Sequence, residues 1–419
     1  SATGYGQQTA AILPRLKAAG HDVACLAFWG LEGGIIEMDG IRFYPKQFHG
    51  FGMDAMLPAY QDWRADMMIT LQDIWILDPG MLSRIRWVPW VPIDQEPVEG
   101  GPPLPTWIDD RLKVAWHTIA MAKFASRMIA ERGYPFTYIP HSVDTNVYQP
   151  LDKAQAKVAL GFSPNDFVVG MVAANKSAYP DRKGFTWALQ AFRTFHQRHP
   201  NAKLYLHTWM GPQYGGFDLS EICRHLDIGL ATRFPDQQKY HWGMSPQWMA
   251  ITYNAFDVLL APSGGEGFGI PAIESQACGT PVILTRYTSG PELCGAGWLV
   301  EASNTWMSPL ITAFAMPDGA SIVEALEQAY EANTKEMTEQ AREFALPYDH
   351  DRVFKEMWQP MLQQLESELV PPEKRIQLVP SLPMLQVVEA LPPTPNGNEP
   401  MELEVPILPV ESIQLAPED

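Results

Sequence analysis

Cysteine pairs, long apolar runs and targeting segments are what this sequence lacks. Its 4 cysteines (Cys25, Cys223, Cys278 and Cys294) include no pair with CxxC spacing, so neither a zinc or redox motif nor a disulfide framework is indicated. No apolar run reaches the ~18 residues that span a bilayer. Residues 1–9 lack the charged and apolar regions of a signal peptide. We therefore expect a cytoplasmic protein without a membrane span.

Positive charge is also scarce, since 30 Lys and Arg face 48 Asp and Glu and give a net charge of -18. Such a chain repels polyphosphate backbones, so general affinity for nucleic acids or anionic membranes is not expected. A local basic pocket for one small phosphate compound is still compatible with this charge. Hydrophobic residues make up 46% of the chain and include 14 Trp, which is ample for globular cores.

The length of 419 residues exceeds one domain of roughly 100–200 residues and predicts two domains with an appendage. Short apolar segments alternate with amphipathic ones, which favours parallel α/β sheets. We place the first domain at residues 1–150 and the second at 151–348. The first begins with a glycine-containing loop, a helix and a strand, half of a βαβ unit whose first strand is missing.

The periodicity gives explicit element predictions. In the first domain we expect helices at 7–19 and 123–132 and strands at 23–28, 67–71, 74–77, 87–93, 118–121 and 137–139. In the second domain we expect strands at 167–173, 203–207, 258–261 and 281–284, and helices at 186–198, 245–254, 270–278, 322–334 and 335–345.

The C-terminal part differs in composition. Residues 349–369 predict a long helix that Pro360 breaks. Residues 371–419 are rich in proline and acidic residues and are expected to form a disordered tail. The tail repeats a Val-Pro-x-Leu-Pro pattern at 379–383 and 405–409, which is either a docking motif for a partner or part of an extended, solvated chain.

Residues 263–274 carry the most chemical information. A strand ends before them, a glycine-rich loop follows, and Pro271 stands near the start of a helix, where proline is favoured. Glycines let backbone N–H groups approach a ligand, and a helix N-terminus attracts anions. Glu266 in the loop and Glu274 near the first helical turn can accept hydrogen bonds from sugar or ribose hydroxyls in one cleft. The helix dipole alone would also favour a glutamate in the first turn.

The segment GEGFGIPAIESQACGTPVI, residues 265–283, resembles the Glu-x7-Glu signature of GT-B glycosyltransferases, especially retaining family 4. Five further stretches resemble that family in order: Gly4–Gln7, 139–148 with Ser142 in place of Gly, 182–184, 253–263 and 290–300. The resemblance covers roughly residues 1–365 and is greatest to a bacterial and phage branch. It implies the GT-B fold: two Rossmann-like doubly wound domains that face a cleft.

The resemblance also implies roles for single residues. Lys183 would neutralise the donor diphosphate, with Arg182 or Lys176 as a second cation. Glu266 would contact the transferred sugar, and Glu274 would bind the ribose hydroxyls. Backbone groups would complete the donor site, namely the amides of Gly267, Phe268, Gly269 and Ile270, with Gly4 and Gly6 packed against the diphosphate from the other domain.

The family usually supplies a histidine from the N-terminal domain, and residues 91–97 have none at the matching place. Asp94 is our candidate for the residue that faces the sugar there, and His117 is a second candidate. Asp94-Gln95-Glu96 also mimics a metal-binding Asp-x-Asp motif, but the surrounding pattern is GT-B. We therefore expect no metal and no cofactor, with a UDP- or GDP-sugar as the donor substrate.

The activity implied is metal-independent transfer of a sugar to an acceptor hydroxyl with retention of anomeric configuration. The family segment like 349–370 crosses back to the first domain and helps the domains close over the donor. The acceptor is a glycan, a small molecule or, disfavoured by the net charge, DNA. The aromatic residues within 29–65 either stack on a sugar or pack the domain. Two alternatives stay open: a catalytically degenerate binding protein and a sugar-nucleotide epimerase.

Overall fold

A computed structural model describes residues 3–176, 178–332 and 334–369 of the chain. Strands and helices alternate along them, and most strand pairs are parallel. The α/β class that the alternating pattern predicts is confirmed. The predicted tail, with both Val-Pro-x-Leu-Pro repeats, lies outside the described residues. No helix in the described ranges combines the length and the apolar character needed to cross a bilayer.

Before residue 150 the strands are short and form two groups. The helices are α1 (Gly4–Ala18), α2 (Met53–Asp62), α3 (Pro79–Leu82), α4 (Thr106–Leu112) and α5 (Lys123–Glu131). The strands are β1 (Ala24–Ala27), β2 (Ile36–Met38), β3 (Ile41–Pro45), β4 (Met68–Thr70), β5 (Trp87–Val91), β6 (Glu96–Pro97), β7 (Thr118–Ala120) and β8 (Phe136–Tyr138).

Apart from β6, which is described below, these strands form a sheet of order β1-β3-β2 and a parallel sheet of order β4-β5-β7-β8. β1 and β4 each end their sheet, and both line the same large cleft. Within the described residues no strand joins these two edges. This gap between β1 and β4 corresponds to the first strand that is missing from the sequence pattern.

Two predictions for this region are wrong. Residues 74–77 form a 3₁₀ turn over Ile74–Ile76 and not a strand. Ile74 and Leu77 are both buried while Trp75 is exposed, so burial follows helical spacing rather than alternation. Residues Gly4–Gln7 are the first turn of α1 and not a loop. Thr3 caps that turn, because its hydroxyl oxygen accepts a hydrogen bond from the Gly6 amide at 3.1 Å.

After residue 150 a second α/β region begins. Its strands are β9 (Phe167–Val172), β10 (Ala202–His207), β11 (Thr232–Arg233), β12 (Val258–Ala261), β13 (Val282–Thr285), β14 (Gly297–Val300), β15 (Ala302–Met307) and β16 (Thr312–Pro317). Its helices are α6 (Lys153–Ala159), α7 (Phe185–Arg198), α8 (Leu219–His225), α9 (Gln237–Trp242), α10 (Pro246–Asn254), α11 (Ile270–Ala277), α12 (Gly290–Leu293), α13 (Gly319–Glu331) and α14 (Thr334–Ala345).

The main sheet of this region is parallel and has the order β11-β10-β9-β12-β13-β14. The chain order therefore reverses between β9 and β12, and open α/β sheets bind ligands outside the carboxyl ends of their strands at such a point. Phe185, Phe192 and Phe195 on α7 are fully buried against this sheet. The strands and helices predicted for residues 167–284 are confirmed to within one or two residues at each end.

A hairpin that the sequence pattern did not reveal joins the two regions. β15 and β16 pair antiparallel, and β16 pairs antiparallel with β6 of the first region. Tyr287 strengthens the junction, because its hydroxyl donates to the Ala313 carbonyl at 2.6 Å and accepts from the Glu96 amide at 3.3 Å. The segment around Asp94 is thereby fixed against the second region.

The last described helices return to the first region. α15 (His350–Val353) runs through a π-helical turn, Phe354–Trp358, into α16 (Gln359–Ser367). Pro360 does not end the helix, because the residues before it keep helical backbone angles. It does follow closely on the π-helical turn, so the regular α-helix is interrupted near the position where the sequence predicted a break. Trp358 packs edge-on against Trp90 with ring centroids 5.0 Å apart.

Candidate active site

The glycine-rich loop between β12 and α11 lies at the carboxyl end of the sheet, next to the reversal of strand order. Its glycines are needed for close backbone approach. A Cβ on Gly265 would lie 2.1 Å from the carbonyl oxygen of Asp94, and one on Gly267 would lie 3.1 Å from Pro92 Cα. Gly269 precedes α11 with a φ of 109°, which disfavours other residues. The loop thus lies directly against the first region.

Two cations converge on the carboxylate of Glu266. Lys183 makes an ion pair with Glu266 Oε1, and Arg182 lies 3.3 Å from Oε2. Arg182 also donates to the Gly265 carbonyl at 2.8 Å and lies 3.5 Å from Asp94 Oδ2. Arg182 therefore links the loop of the second region to a carboxylate of the first.

The charges in this cluster shift each other's protonation. Burial raises the pKa of Glu266, but Lys183 and Arg182 outweigh it and lower this pKa to about 2. Burial raises the pKa of Asp94, and Arg182 offsets this only in part. Burial and the neighbouring Arg182 lower the pKa of Lys183, against the attraction of Glu266. Glu266 is consequently ionised at neutral pH and available as a hydrogen-bond acceptor.

Glu274 lies in the same cleft, just past the first turn of its helix and therefore near the first turn, as the sequence predicted. It is the fifth residue of α11 and is 7% exposed. Tyr253 donates a hydrogen bond of 2.6 Å to its Oε2. Burial raises its pKa, and hydrogen bonds from Tyr253 and Tyr148 reduce that rise. A buried carboxylate held by two tyrosines has a fixed direction in the cleft.

The N-terminal end of α1 meets the N-terminal end of α11. A Cβ on Gly4 would lie 3.3 Å from Ile270 Cδ1, so the two helix starts approach closely. Gly4 and Gly6 both line the cleft. They lie in a helical turn rather than in the predicted loop, and a helix N-terminus itself attracts anions.

The other sequence candidates lie apart from the carboxylates or play structural parts. Lys176 lines the cleft and is exposed, and no ion pair in the described ranges joins it to Glu266 or Asp94. His117 is buried and hydrogen-bonded to the Thr137 hydroxyl at 2.8 Å, away from the cleft lining. Gln95 accepts from the Thr312 hydroxyl. Within the described part of the chain, no group of His, Cys, Asp and Glu is arranged to hold a metal ion.

Several cleft residues were missed by reasoning from the sequence. Asp73 accepts a hydrogen bond from the Tyr5 hydroxyl at 2.9 Å. His141 is buried with its ring between those of Trp90 and Phe268, at 4.5 and 5.3 Å. Burial lowers the pKa of His141 to about 3, so it is neutral. The sequence signal that could have identified Asp73 is its position shortly after the apolar segment 67–71. The signal for His141 is its position inside residues 139–148, which resemble a segment of the family.

Comparisons with known proteins agree with this geometry. Residues 167–315 match the family described as glycosyl transferases, group 1. A D-inositol 3-phosphate glycosyltransferase of Segniliparus rotundus is 30% identical over 190 residues, which are 43% of this chain and 39% of that protein. The one from Rhodococcus erythropolis is also 30% identical, over 44% of this chain and 39% of that protein. The chain thus spans about two fifths of these curated relatives.

Solved structures share the fold over both regions. Sucrose-phosphate synthase of Thermosynechococcus elongatus superposes with a TM-score of 0.66 at 17% identity, over 87% of this chain and 94% of that one. Anabaena HepE in complex with UDP-glucose superposes with a TM-score of 0.60 at 15% identity, over 88% and 97%. The predicted GT-B fold is therefore confirmed, as is the resemblance to group 1 glycosyltransferases across the second region.

Proposed function

We propose that this chain, a GT-B protein whose second region matches the group 1 glycosyltransferases, transfers a sugar from a nucleoside diphosphate sugar to an acceptor hydroxyl. One observation carries the proposal: Arg182, Lys183, Glu266 and Glu274 converge on one cleft at the reversal of strand order. Two cations suit a diphosphate, and two carboxylates suit the hydroxyls of a sugar and a ribose.

Binding of the donor rearranges the charges around Glu266. Lys183 and Arg182 both face this carboxylate, and an incoming diphosphate competes with it for them. The amides of residues 267–270 at the start of α11 add donors for phosphate or sugar oxygens. Glu266 is then available to accept a hydrogen bond from the transferred sugar, and Glu274 accepts hydrogen bonds from the ribose.

We further propose that transfer is metal-independent and retains the anomeric configuration. Lys183, Arg182 and the α11 amides would stabilise the leaving diphosphate as fixed charges and dipoles. The bond between the anomeric carbon and the phosphate oxygen breaks, and a bond to the acceptor oxygen forms on the same face. The acceptor proton passes to the leaving phosphate oxygen. Asp94, held by Arg182 at 3.5 Å, positions the sugar from the first region.

UDP is the nucleotide that we favour for the donor, with GDP as the alternative. The support is that HepE was solved with UDP-glucose and, in other crystals, with UDP or with UDP and glucose. We also propose a cytoplasmic location, because all four cysteine thiols are unpaired, which suits a reducing compartment.

A thermal-shift panel of UDP, GDP, ADP and their common sugars tests the proposal. A ligand that binds only the folded state raises the melting temperature once its concentration exceeds its Kd. We expect a shift with UDP and UDP-sugars that Glu274→Ala abolishes. Product analysis by mass spectrometry then separates transfer from the epimerase alternative. Absence of a shift with every nucleotide, in folded protein, would refute the proposal in favour of a degenerate binding protein.

A further inference from the structure

The segment after β4 forms a wall of the cleft beside the cluster around Glu266. Gln72, Asp73 and Trp75 of this segment all line the cleft. Gln72 is 5% exposed, and its Oε1 has no hydrogen-bond partner among the described residues. A buried amide oxygen without a partner costs free energy unless a ligand or water donates to it. This wall therefore has an unused hydrogen-bonding position next to Asp73.

Two exposed aromatic rings, one of them from the same segment, lie close to each other in this cleft. Trp75 is 48% exposed and Phe51 is 41% exposed, and their ring centroids are 6.2 Å apart with an interplanar angle of 71°. Phe28 packs behind Phe51 at 6.4 Å. All three rings line the cleft. Exposed aromatic rings in a concave site, with a few polar groups beside them, are typical of small-molecule recognition.

The charges at this wall select against anions. Asp73 and Asp94 are close enough to influence each other electrostatically. The nearby cations, Arg182 and Lys183, already face Glu266 and are the groups that a donor diphosphate would occupy. Arg111 lies behind the wall, but its guanidinium donates to the backbone carbonyls of Trp75, Leu77 and Trp107. Arg182 also attracts Asp73, so a phosphorylated acceptor would have to compete with three carboxylates and the donor diphosphate for the same cations, while facing the negative charge of Asp73 and Asp94.

We propose that Gln72, Asp73, Trp75 and Phe51 form the acceptor subsite and that the acceptor is an uncharged saccharide. A sugar ring stacks on Trp75 and Phe51, while its hydroxyls donate to Gln72 Oε1 and to the Asp73 carboxylate. The inference rests on the proposed function and adds the chemical class of its second substrate. The cleft has a volume of about 2440 Å³, which accommodates a donor and a sugar acceptor together.

Matched acceptor pairs test this. The full-length protein is incubated with the UDP-sugar that gives the thermal shift and with glucose, galactose, mannose, N-acetylglucosamine or their 6-phosphates. Inositol and inositol 3-phosphate form a further pair. Transfer is measured by mass spectrometry, and UDP release without acceptor is measured in parallel. For at least one saccharide pair we expect transfer to the neutral member to exceed transfer to the phosphorylated one by about tenfold or more, since like charges in contact are strongly disfavoured.

Variants then assign the effect to the wall. Trp75→Ala should lower transfer to the neutral saccharide by about tenfold or more, as for loss of an aromatic anchor, and raise KM. Asp73→Asn should bring the neutral and phosphorylated rates closer together. Trp248→Ala and Glu37→Gln, exposed residues outside the cleft lining, serve as matched controls and should change neither rate.

UDP release keeps this inference separable from the proposed function. If no UDP-sugar binds or is hydrolysed, the transferase proposal itself fails and the acceptor subsite fails with it. If the donor is bound and hydrolysed normally, three results overturn the acceptor subsite alone: no neutral saccharide accepts the sugar, the phosphorylated members are used as well or better, or Trp75→Ala and Asp73→Asn behave like the controls.

Discussion

Arg182 of the second region lies 3.5 Å from the carboxylate of Asp94 in the first region. This ion pair crosses the cleft and places a carboxylate of the first region beside the glycine-rich loop at residues 262–269, which is the donor loop of the proposed function. Asp94 is further fixed by its chain neighbours, since β6 pairs with β16 and Gly265 touches the Asp94 carbonyl. Asp94 is therefore positioned by the second region as much as by its own.

Asp94→Asn should lower transfer while leaving nucleotide binding intact. A hydrogen bond to a charged group is worth about 1.5–3 kcal/mol, which corresponds to a loss of roughly 10- to 100-fold in kcat/KM. Asparagine keeps the shape and can still contact Arg182. Steady-state transfer rates and calorimetric Kd values for UDP measure the two effects. An equal loss of UDP affinity would assign Asp94 to donor binding instead.

Lys183 and Lys176 are both cations that line the cleft, but of the two only Lys183 contacts Glu266. Lys183→Met should weaken UDP binding by about tenfold or more, the cost of one charge-assisted hydrogen bond. Lys176→Met should change the Kd by less than about twofold, as for a solvated charge. Calorimetric titration of UDP against both variants decides between them.

The effect of Lys183→Met on the stability of the fold needs its own control. Lys183→Met removes one of the two cations that face Glu266 and leaves Arg182, and a buried charge that loses a partner destabilises a fold. The double variant Lys183→Met/Glu266→Gln removes both charges. If it regains the melting temperature but not the UDP affinity, the lysine acts on the nucleotide. Equal losses in Lys176→Met and Lys183→Met would contradict the distinction.

Local sequence chemistry was enough to predict the structure around the glycine-rich loop. Glycines before Pro271, an apolar strand ahead of them and two glutamates eight residues apart specified a strand, a loop and a helix start. The prediction that Arg182 and Lys183 lie beside the donor phosphates came from the family resemblance and not from local sequence chemistry. The structure adds that both cations face Glu266, which no periodicity reveals.

Contacts between distant segments could not be predicted. Tyr5 and Asp73 are 68 residues apart, and β6 pairs with a hairpin more than 200 residues later. Residues 302–307 are mostly exposed, so they lack the alternation that marks a half-buried strand. The strand predicted at 74–77 was wrong for a different reason, because a short apolar run fits a strand and a helical turn equally well.

Nucleotide binding should depend on pH through Glu274. Burial raises the pKa of Glu274 above the 4.5 of an exposed glutamate. Above this raised pKa the carboxylate is charged and accepts from the ribose hydroxyls. As pH falls through it, the carboxyl becomes neutral and UDP affinity should decline, at a higher pH than for an ordinary glutamate. Calorimetric Kd values between neutral pH and the acid limit of folding measure this.

Glu274→Gln is the control for that titration. Glutamine has the size of the neutral acid, so the variant should bind UDP weakly at all pH values and show no inflection from this residue. Circular dichroism at each pH excludes unfolding as the cause. An inflection that persists in Glu274→Gln would assign the pH dependence to another group.

Gly265 tests how closely the two regions must approach. A Cβ at this position would lie 2.1 Å from the Asp94 carbonyl oxygen and 3.5 Å from the Phe314 ring, so Gly265→Ala forces backbone apart. Overpacking of this kind typically costs about 1–3 kcal/mol. Gly319→Ala is the matched control, because a Cβ there meets nothing within 4 Å and alanine is favoured in a helix. Melting temperatures and urea titrations should show a loss of stability for Gly265→Ala and none for Gly319→Ala.

The rate of sugar transfer by Gly265→Ala should fall together with its stability, since the displaced backbone carries Asp94. If Gly265→Ala melts like the unaltered protein and transfers sugar normally, the contact between the donor loop and residues 92–94 is not required for activity.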